Sequence, residues 1–246
     1  METDGAPNMI RTLGQFAAIL GFAMSASAQQ QPPRILEVYR DFLKPGVEAA
    51  YGPIEEDASR ICVELKCPHP YLAIESLTGP KEVWFLNGYD SVAELKQVGD
   101  AYEKNAPLLA ALHQNVDRKK DLRSAEPFEV FANYRQDLSR GAPWTMGQGR
   151  FLVITIAKEP LQIAGTVFET DDRIRLGVNG AQTRGQTDDH IQLVVNAAQT
   201  REQADALAAA EGPQSIIFAV RPYWGMPATE WIAADPTFWR VNARAH

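Results

Sequence analysis

The feature that most constrains this chain is the order in which its apolar residues change period. Ile35–Phe42, ILEVYRDF, alternates apolar and polar residues as a half-buried strand does. "KPG" turns the chain, and residues 47 to about 65 carry helical spacing, with Gly52 and Pro53 expected to bend or restart that helix. Residues 71–77 read as a second strand. "TGPKE" is a turn signal that makes 83–89 its antiparallel hairpin partner. "SVAE", at 91–94, is a capping box that opens a second helix, which Pro107 divides into two segments. Phe128–Tyr134 completes the series as a fourth strand. The order is β-α-β-β-α-β, which folds as helices covering one antiparallel sheet.

A Gly/Pro-rich join follows, "SRGAPWTMGQG" at 139–149, and is expected to be flexible. Beyond it 151–157, 162–169 and 173–178 read as strands, and "NGAQTRGQTDD" (179–189) as a loop of turn formers. Residues 190–197 form a strand, 200–211 a helix and 215–221 a final strand. "FLNGYDSVAEL" (85–95) lays over "VVNAAQTREQA" (194–204), each a strand ending in Asn and then a helix opened by a hydroxyl residue. Asn87 meets Asn196, and Ser91/Glu94 meets Thr200/Gln203, although the second half lacks a clear first helix. The fold class is therefore α+β: tandem ferredoxin-like halves with antiparallel sheets, 34–138 and a degenerate 149–224. A tail, 225–246, carries "WIAADPTFW" and is expected to dock back onto the body.

The leading segment supplies an address. "MIRTLGQFAAILGFAMSASA" (9–28) has a positive start, an apolar middle and small residues before Gln29, the three parts of a secretory signal. Its apolar run is short of the roughly 20 residues that span a bilayer, and no later segment is apolar enough to anchor the chain. "METDGAPN" suits a positive n-region poorly, so translation is expected to start at Met9, with 1–28 removed and the product exported to the periplasm or medium. In an oxidising compartment Cys62 and Cys67 form either a small local disulfide or two free thiols; a disulfide requires a helix end or turn between them. The chain carries 24 Lys+Arg against 31 Asp+Glu, net −7. Its one basic run, "DRKKDLR" (117–123), reads as a solvated helix end, which argues against a nucleic-acid partner.

"LEVYRDFLKPGVEAAY", the hairpin, the helix from Ser91 and "FEVFANYR" together resemble the dimeric α+β barrel superfamily. The strand-Pro-Gly-helix opening is most similar to its NIPSNAP-like and antibiotic-biosynthesis-monooxygenase-like domains. The resemblance covers 34–138 and, more weakly, 149–224. It implies two ferredoxin-like sheets that face each other around a cavity, either between the subunits of a homodimer or between tandem repeats. That superfamily spans monooxygenases without cofactor, haem-degrading enzymes, isomerases and domains with no known activity, so it does not select a reaction.

Alternation also sorts candidate site residues. Leu36, Val38 and Phe42, Leu72 and Ile74, and Phe128, Val130 and Ala132 are expected beneath the helices. Glu37, Tyr39, Asp41, Glu75, Glu129, Phe131, Asn133 and Arg135 then share the other face, joined by Phe85 and Asn87 if Trp84 and Leu86 pack inward. Aromatics mixed with a few polar groups suit a small-molecule pocket; the same row suits a sheet face that is wet or covered by a neighbouring sheet. In an enclosed cavity a carboxylate can serve as general base, which makes Glu75 and Glu37 the catalytic candidates. Tyr39, Asn87, Glu129, Phe131, Asn133 and Arg135 are the candidate ligand contacts. Three functions follow: small-molecule binding, a cofactor-independent monooxygenase or isomerase, or a structural module. No cofactor or metal is expected, because His69, His113, His190 and His246 are scattered without an HxH or HxxxH pair. Nor is there a nucleophile elbow, P-loop or dinucleotide fingerprint. His69, in "CPHPY", is expected at the surface, and His190 on the cavity if the second half mirrors the first.

Overall fold

Among the described residues eight strands carry the fold: β1 (Ile35–Phe42), β2 (Leu72–Ser76), β3 (Glu82–Tyr89), β4 (Phe128–Tyr134), β5 (Phe151–Ala157), β6 (Thr166–Thr170), β7 (Gln192–Ala198) and β8 (Ser215–Val220). The helices are α1 (Glu48–Glu64), α2 (Val92–Lys104), α3 (Ala106–Lys119), α4 (Arg201–Glu211) and α5 (Thr229–Ala234), with a 3-10 turn at Lys120–Leu122. This computed structural model describes residues 31–171 and 191–239. The secretory segment, Met9, the strand expected at 173–178, the loop 179–189, His190 and His246 lie outside the described residues.

Every strand pairing is antiparallel, and the order β1-β3-β2-β8-β5-β7-β6-β4 returns to β1, so the barrel closes within one chain. β1–β4 contribute the arc β4-β1-β3-β2 and β5–β8 the arc β8-β5-β7-β6. The first arc carries α1 between β1 and β2, and α2 and α3 between β3 and β4. Among the described residues the second carries α4 between β7 and β8, and residues 158–165 join β5 to β6 without a helix.

The barrel interior is a single apolar cluster drawn from both arcs. Leu36, Leu72, Trp84 and Leu86 meet Leu152, Ile154, Phe168, Leu193 and Phe218 there. The Trp84 and Phe218 ring centroids are 4.8 Å apart. This inverts the expectation that Leu36, Val38, Leu72, Ile74, Val130 and Ala132 pack beneath helices. The alternating rows were grouped correctly, but the apolar row faces the barrel and the mixed row faces the helices. An eight-stranded barrel is just wide enough for side chains to fill, and the inward row here forms one apolar cluster. The more apolar row therefore gains most by turning inward. Phe42 and Phe128 stand near the barrel mouth, where Arg40 lies over Phe42 and Trp84. Arg40 Nε and Trp84 Nε1 both donate to Glu82 Oε2, at 3.0 and 2.6 Å.

Local chemistry sets the element ends. α1 runs through Gly52 and Pro53 without restarting. The bond Pro53 forgoes is to the Ala49 carbonyl in the first turn. Gly52 admits Trp224, whose Cζ2 would lie 3.1 Å from a Cβ at that position. Cys62 and Cys67 are joined by a disulfide across the C-terminus of α1, where Lys66 takes a positive φ of 58° and reverses the chain. The α2–α3 break falls at Asn105, two residues before Pro107. Asn105 Oδ1 accepts from the Leu108 N–H (3.3 Å), while Nδ2 donates to the Leu65 carbonyl (2.9 Å). Pro107 then sits in the first turn of α3, where no N–H is needed.

The tail closes one end of the barrel: Trp231 and Trp239 join the interior cluster together with Trp144. The 139–149 join, expected to be flexible, is instead the seat for this tail. Gly147 has φ +83°, and a Cβ on it would lie 2.4 Å from Trp231 Cγ. No helix among the described residues is long and apolar enough to cross a membrane.

Candidate functional site

Across β3, β1 and β4 the helix-side positions form two rungs, Asn87–Glu37–Phe131 and Phe85–Tyr39–Glu129. α2 and α3 do not lie flat on these rungs. A cavity of about 330 Å³ separates them from the sheet, walled by Leu95, Val98, Gly99 and Tyr102 of α2 and by Leu112 of α3. Tyr71, just before β2, and Tyr89 complete the lining. A glycine inside a helix costs about 1 kcal/mol relative to alanine, and Gly99 of α2 is one of the residues in the cavity wall.

The polar groups are held in part by residues behind them. Tyr89 OH donates to Glu37 Oε2 at 2.7 Å. His69 stacks on Tyr89 with ring centroids 4.6 Å apart, and its Nε2–H donates to the Gly88 carbonyl at 2.9 Å. The expected surface position of His69 is thereby corrected: it is buried, and that burial lowers its pKa and keeps it neutral. Burial, and then the Asp41 charge, pushes the Tyr39 phenol up to about 12. Burial, and then the Glu37 charge, pushes Tyr102 to about 12 and Tyr89 well above the ordinary phenol range. These phenols are therefore protonated donors at neutral pH. Tyr39 OH accepts from Arg123 at 3.3 Å. Among the described residues, the side chains of Tyr71, Asn87 and Tyr102 make no hydrogen bond to protein and face the cavity.

Behind Tyr39 lies a buried charge cluster. Asp41 is fully buried and Glu55 nearly so. Tyr51 OH donates to Asp41 Oδ2 (2.6 Å), and Arg123 NH2 does so at 3.1 Å. Arg123 Nε is 2.7 Å from Asp41 Oδ1, close enough for an ion pair but poorly angled for a hydrogen bond. Lys119 Nζ is 2.7 Å from Glu55 Oε1 and 3.5 Å from Asp41 Oδ2. Burial raises the Glu55 pKa, with the Lys119 charge pulling back. Lys119 and Arg123 correct the reading of 117–123 as a solvated helix end. Two buried carboxylates need two cations, and α3 and the turn after it deliver them. Arg118 and Lys120 stay outside, paired with Asp57 and Asp117.

Five of the sequence candidates converge on the cavity: Glu37, Tyr39, Asn87, Glu129 and Phe131. Three do not. Glu75 accepts from Arg221 Nε (2.7 Å) at the β2–β8 seam, so it is placed away from the cavity it was expected to serve. Asn133 donates to Asp171 (2.8 Å), and Arg135 pairs with Asp137 and Glu169 near the β4–β6 seam. All three share the mixed face but lie toward its margins. Tyr89 and Tyr102 were missed as lining residues, and Tyr71, which alternation puts on the same face as Glu75, was not among the candidates. For Tyr102 the signal was present, since it falls on the Leu95–Val98 stripe of α2 and is its polar-tipped member.

No protein-family profile and no curated protein matches the chain. Among solved structures it is similar to a candidate monooxygenase of Fusobacterium nucleatum subsp. nucleatum, at 11% identity over 77% of this chain and 93% of that one, with a TM-score of 0.41. It is also similar to a candidate monooxygenase of Lactobacillus acidophilus (6% identity, 76% and 92% covered, TM-score 0.37). A third is a candidate chlorite dismutase (10% identity, 77% and 96% covered, TM-score 0.37). At such identities and scores the similarity carries no activity across to this chain.

Proposed function

We propose that this protein is an exported small-molecule-binding α+β barrel whose site is the cavity between the β3-β1-β4 rungs and α2–α3. The observation that carries the reading is that cavity of about 330 Å³, with aromatic walls and with Glu37, Asn87 and Glu129 on its floor. Such a lining, mostly apolar with a few convergent polar groups, is the usual character of a ligand pocket. Export is supported by the segment at 9–28 and by the Cys62–Cys67 disulfide, a bond that persists in oxidising compartments. The two arcs are read as ferredoxin-like halves of one duplicated unit in the NIPSNAP-like manner. In support, each arc places its first and third strands centrally, and each has an Asn before a hydroxyl-capped helix.

A second reading, a cofactor-independent monooxygenase or isomerase, is favoured by one feature. Glu37 lies in the cavity and holds a hydrogen bond from Tyr89, beside the protonated phenol of Tyr102. That arrangement suits a base that takes a proton from a bound ligand while a phenol steadies the resulting anion.

Native mass spectrometry of the freshly purified protein and of Val98→Trp tests the site. The expected result is a small retained ligand on the wild type and none on the variant, whose indole fills the cavity. A bare wild type whose melting temperature is unmoved by a panel of small aromatic compounds removes the reading.

A further inference from the structure

We propose that the Cys62–Cys67 disulfide is a clasp that completes the cavity, so that ligand binding is switched on when the pair is oxidised. The inference rests on the cavity being the binding site and adds its regulation. The clasp sits on a helix end that is poorly made without it. The Cys67 N–H donates to the Cys62 carbonyl at 2.8 Å, and Lys66 just before it has φ 58°, the Schellman arrangement that ends many helices. Glycine suits that left-handed position best, and among the described residues Lys66 is the one non-glycine with a positive φ. An apolar contact frequently joins the two ends of this motif; here the disulfide stands in its place.

Three features of the cavity depend on the clasped segment. The Leu65 carbonyl accepts from Asn105 Nδ2 (2.9 Å), and Asn105 is the elbow between α2 and α3, the helices that wall the cavity. His69 stacks on Tyr89 and donates to the Gly88 carbonyl, which sets the phenol that reaches Glu37. Tyr71 is itself part of the wall. Pro68 and Pro70 have fixed φ angles, so "CPHPY" passes a shift of Cys67 on to His69 and Tyr71. The far end of α3 has ties of its own: Asn115 Nδ2 donates to the Ile54 carbonyl (2.7 Å), and Lys119 pairs with Glu55. Opening the clasp therefore loosens the elbow and the 65–71 wall and leaves the rest of the fold in place.

The switching step is thiol–disulfide exchange with a disulfide oxidant. Cys67, half-buried where Cys62 is buried, attacks the oxidant as a thiolate, forms a mixed disulfide and releases one thiol. The Cys62 thiolate then displaces the second thiol and closes the Cys62–Cys67 bond. Two electrons and two protons pass from the protein pair to the oxidant. A chain made in a reducing compartment thus gains its pocket on reaching an oxidising one.

The test compares the oxidised protein, the protein reduced with dithiothreitol, and the Cys62→Ala/Cys67→Ala variant with and without Lys66→Gly. On reduction, hydrogen exchange is expected to lose protection at 62–71 and 102–109, with 115–119 and α4 unchanged. The uncharged fluorescent aromatic 2-naphthol, titrated at pH 7, is expected to bind about tenfold more weakly once the clasp is open, as the competent fraction falls to about a tenth. Glutathione disulfide should restore the affinity. Lys66→Gly should bring the alanine variant to within about threefold of the oxidised protein, since glycine suits that turn without a clasp. By linkage, bound 2-naphthol should make the pair about tenfold harder to reduce. Equal affinity in the oxidised and reduced forms overturns the switch and leaves the pocket standing. Exchange that loosens α4 as much as the elbow overturns it too, because the disulfide then holds the whole fold. If 2-naphthol binds no form, or binds Val98→Trp as well as the wild type, the pocket assignment itself falls, and the switch with it.

Discussion

One barrel carries two helix-covered faces, and they differ in kind. On the β5–β8 arc, α4 sits directly on the sheet: Val153, Ala198, Ala204 and Ile217 form a closed cluster with Leu207 against it. The polar groups on that face answer one another. Thr155 Oγ1 donates to Glu211 Oε2 (2.5 Å) and Asn196 to Glu211 Oε1 (2.8 Å). On the β1–β4 arc the corresponding rows carry Glu37, Tyr39, Asn87 and Glu129, and the helices stand off around a cavity. The lesson is that barrel interior and helix-side face are set by separate rows of each strand. One row can stay apolar and hold the fold while the other changes from packing to binding. The hollow face is braced at one end by the Asp41, Glu55, Lys119 and Arg123 cluster, which ties β1, α1 and α3 together without filling the cavity.

The largest effect expected from this contrast lies in that brace. Lys119→Met leaves two buried carboxylates with one cation and is expected to destabilise the protein by about 3–5 kcal/mol in urea unfolding. A loss below about 1 kcal/mol would mean the hollow face needs no brace. Next come the paired asparagines. Asn196→Val strips a donor from Glu211 and from the Ala164 carbonyl and should cost about 1–3 kcal/mol. Asn87→Val should change stability by no more than about 0.5 kcal/mol yet weaken ligand binding. Equal costs at the two sites would erase the distinction between faces.

Helix caps give a smaller test. Thr200 and Gln203 form a full capping box, whereas Ser91 accepts from Glu94 N–H and the Glu94 side chain reaches Asp90 N–H. Thr200→Ala and Ser91→Ala should each cost about 1 kcal/mol, measured by thermal unfolding. Alkaline pH should act on the hollow face. Tyr39 titrates near 12 in the fold against an ordinary value of 10.0. Its contribution is complete below pH 10 and is lost as pH rises through 12, because the unfolded phenol gives up its proton first. Tyrosinate absorbance should show this late transition together with that of Tyr102, and Tyr39→Phe should remove one phenol's share of it. The smallest effect is expected at Glu75, which is bound to Arg221 away from the cavity. Glu75→Gln should alter ligand affinity by less than about twofold, whereas a marked loss would relocate the site.

Much of this was legible in the sequence because strand alternation is local. ILEVYRDF, FEVFANY and FLVITIA announce their own periods, and the Ser91 and Thr200 caps mark helix starts. Alternation states which residues share a face but not what covers that face, so Glu37, Tyr39, Asn87, Glu129 and Phe131 were grouped correctly and assigned to the wrong side. Asp41 and Arg123 meet across 82 positions, a pairing that no local period encodes. The basic run therefore read as surface when half its charge is interior. Gly147 looked like a hinge because its composition is that of a loop, and only the arrival of Trp231 shows why a side chain is excluded there.

Closure of the sheet has a further consequence. An open sheet presents rows of unpaired backbone groups to which another chain can add, the route to aggregation and domain swapping that proteins with edge strands must guard against. Each described strand here has a neighbour on both sides. Among the described residues a second copy finds no strand edge to extend, so sheet addition at these eight strands is closed to it.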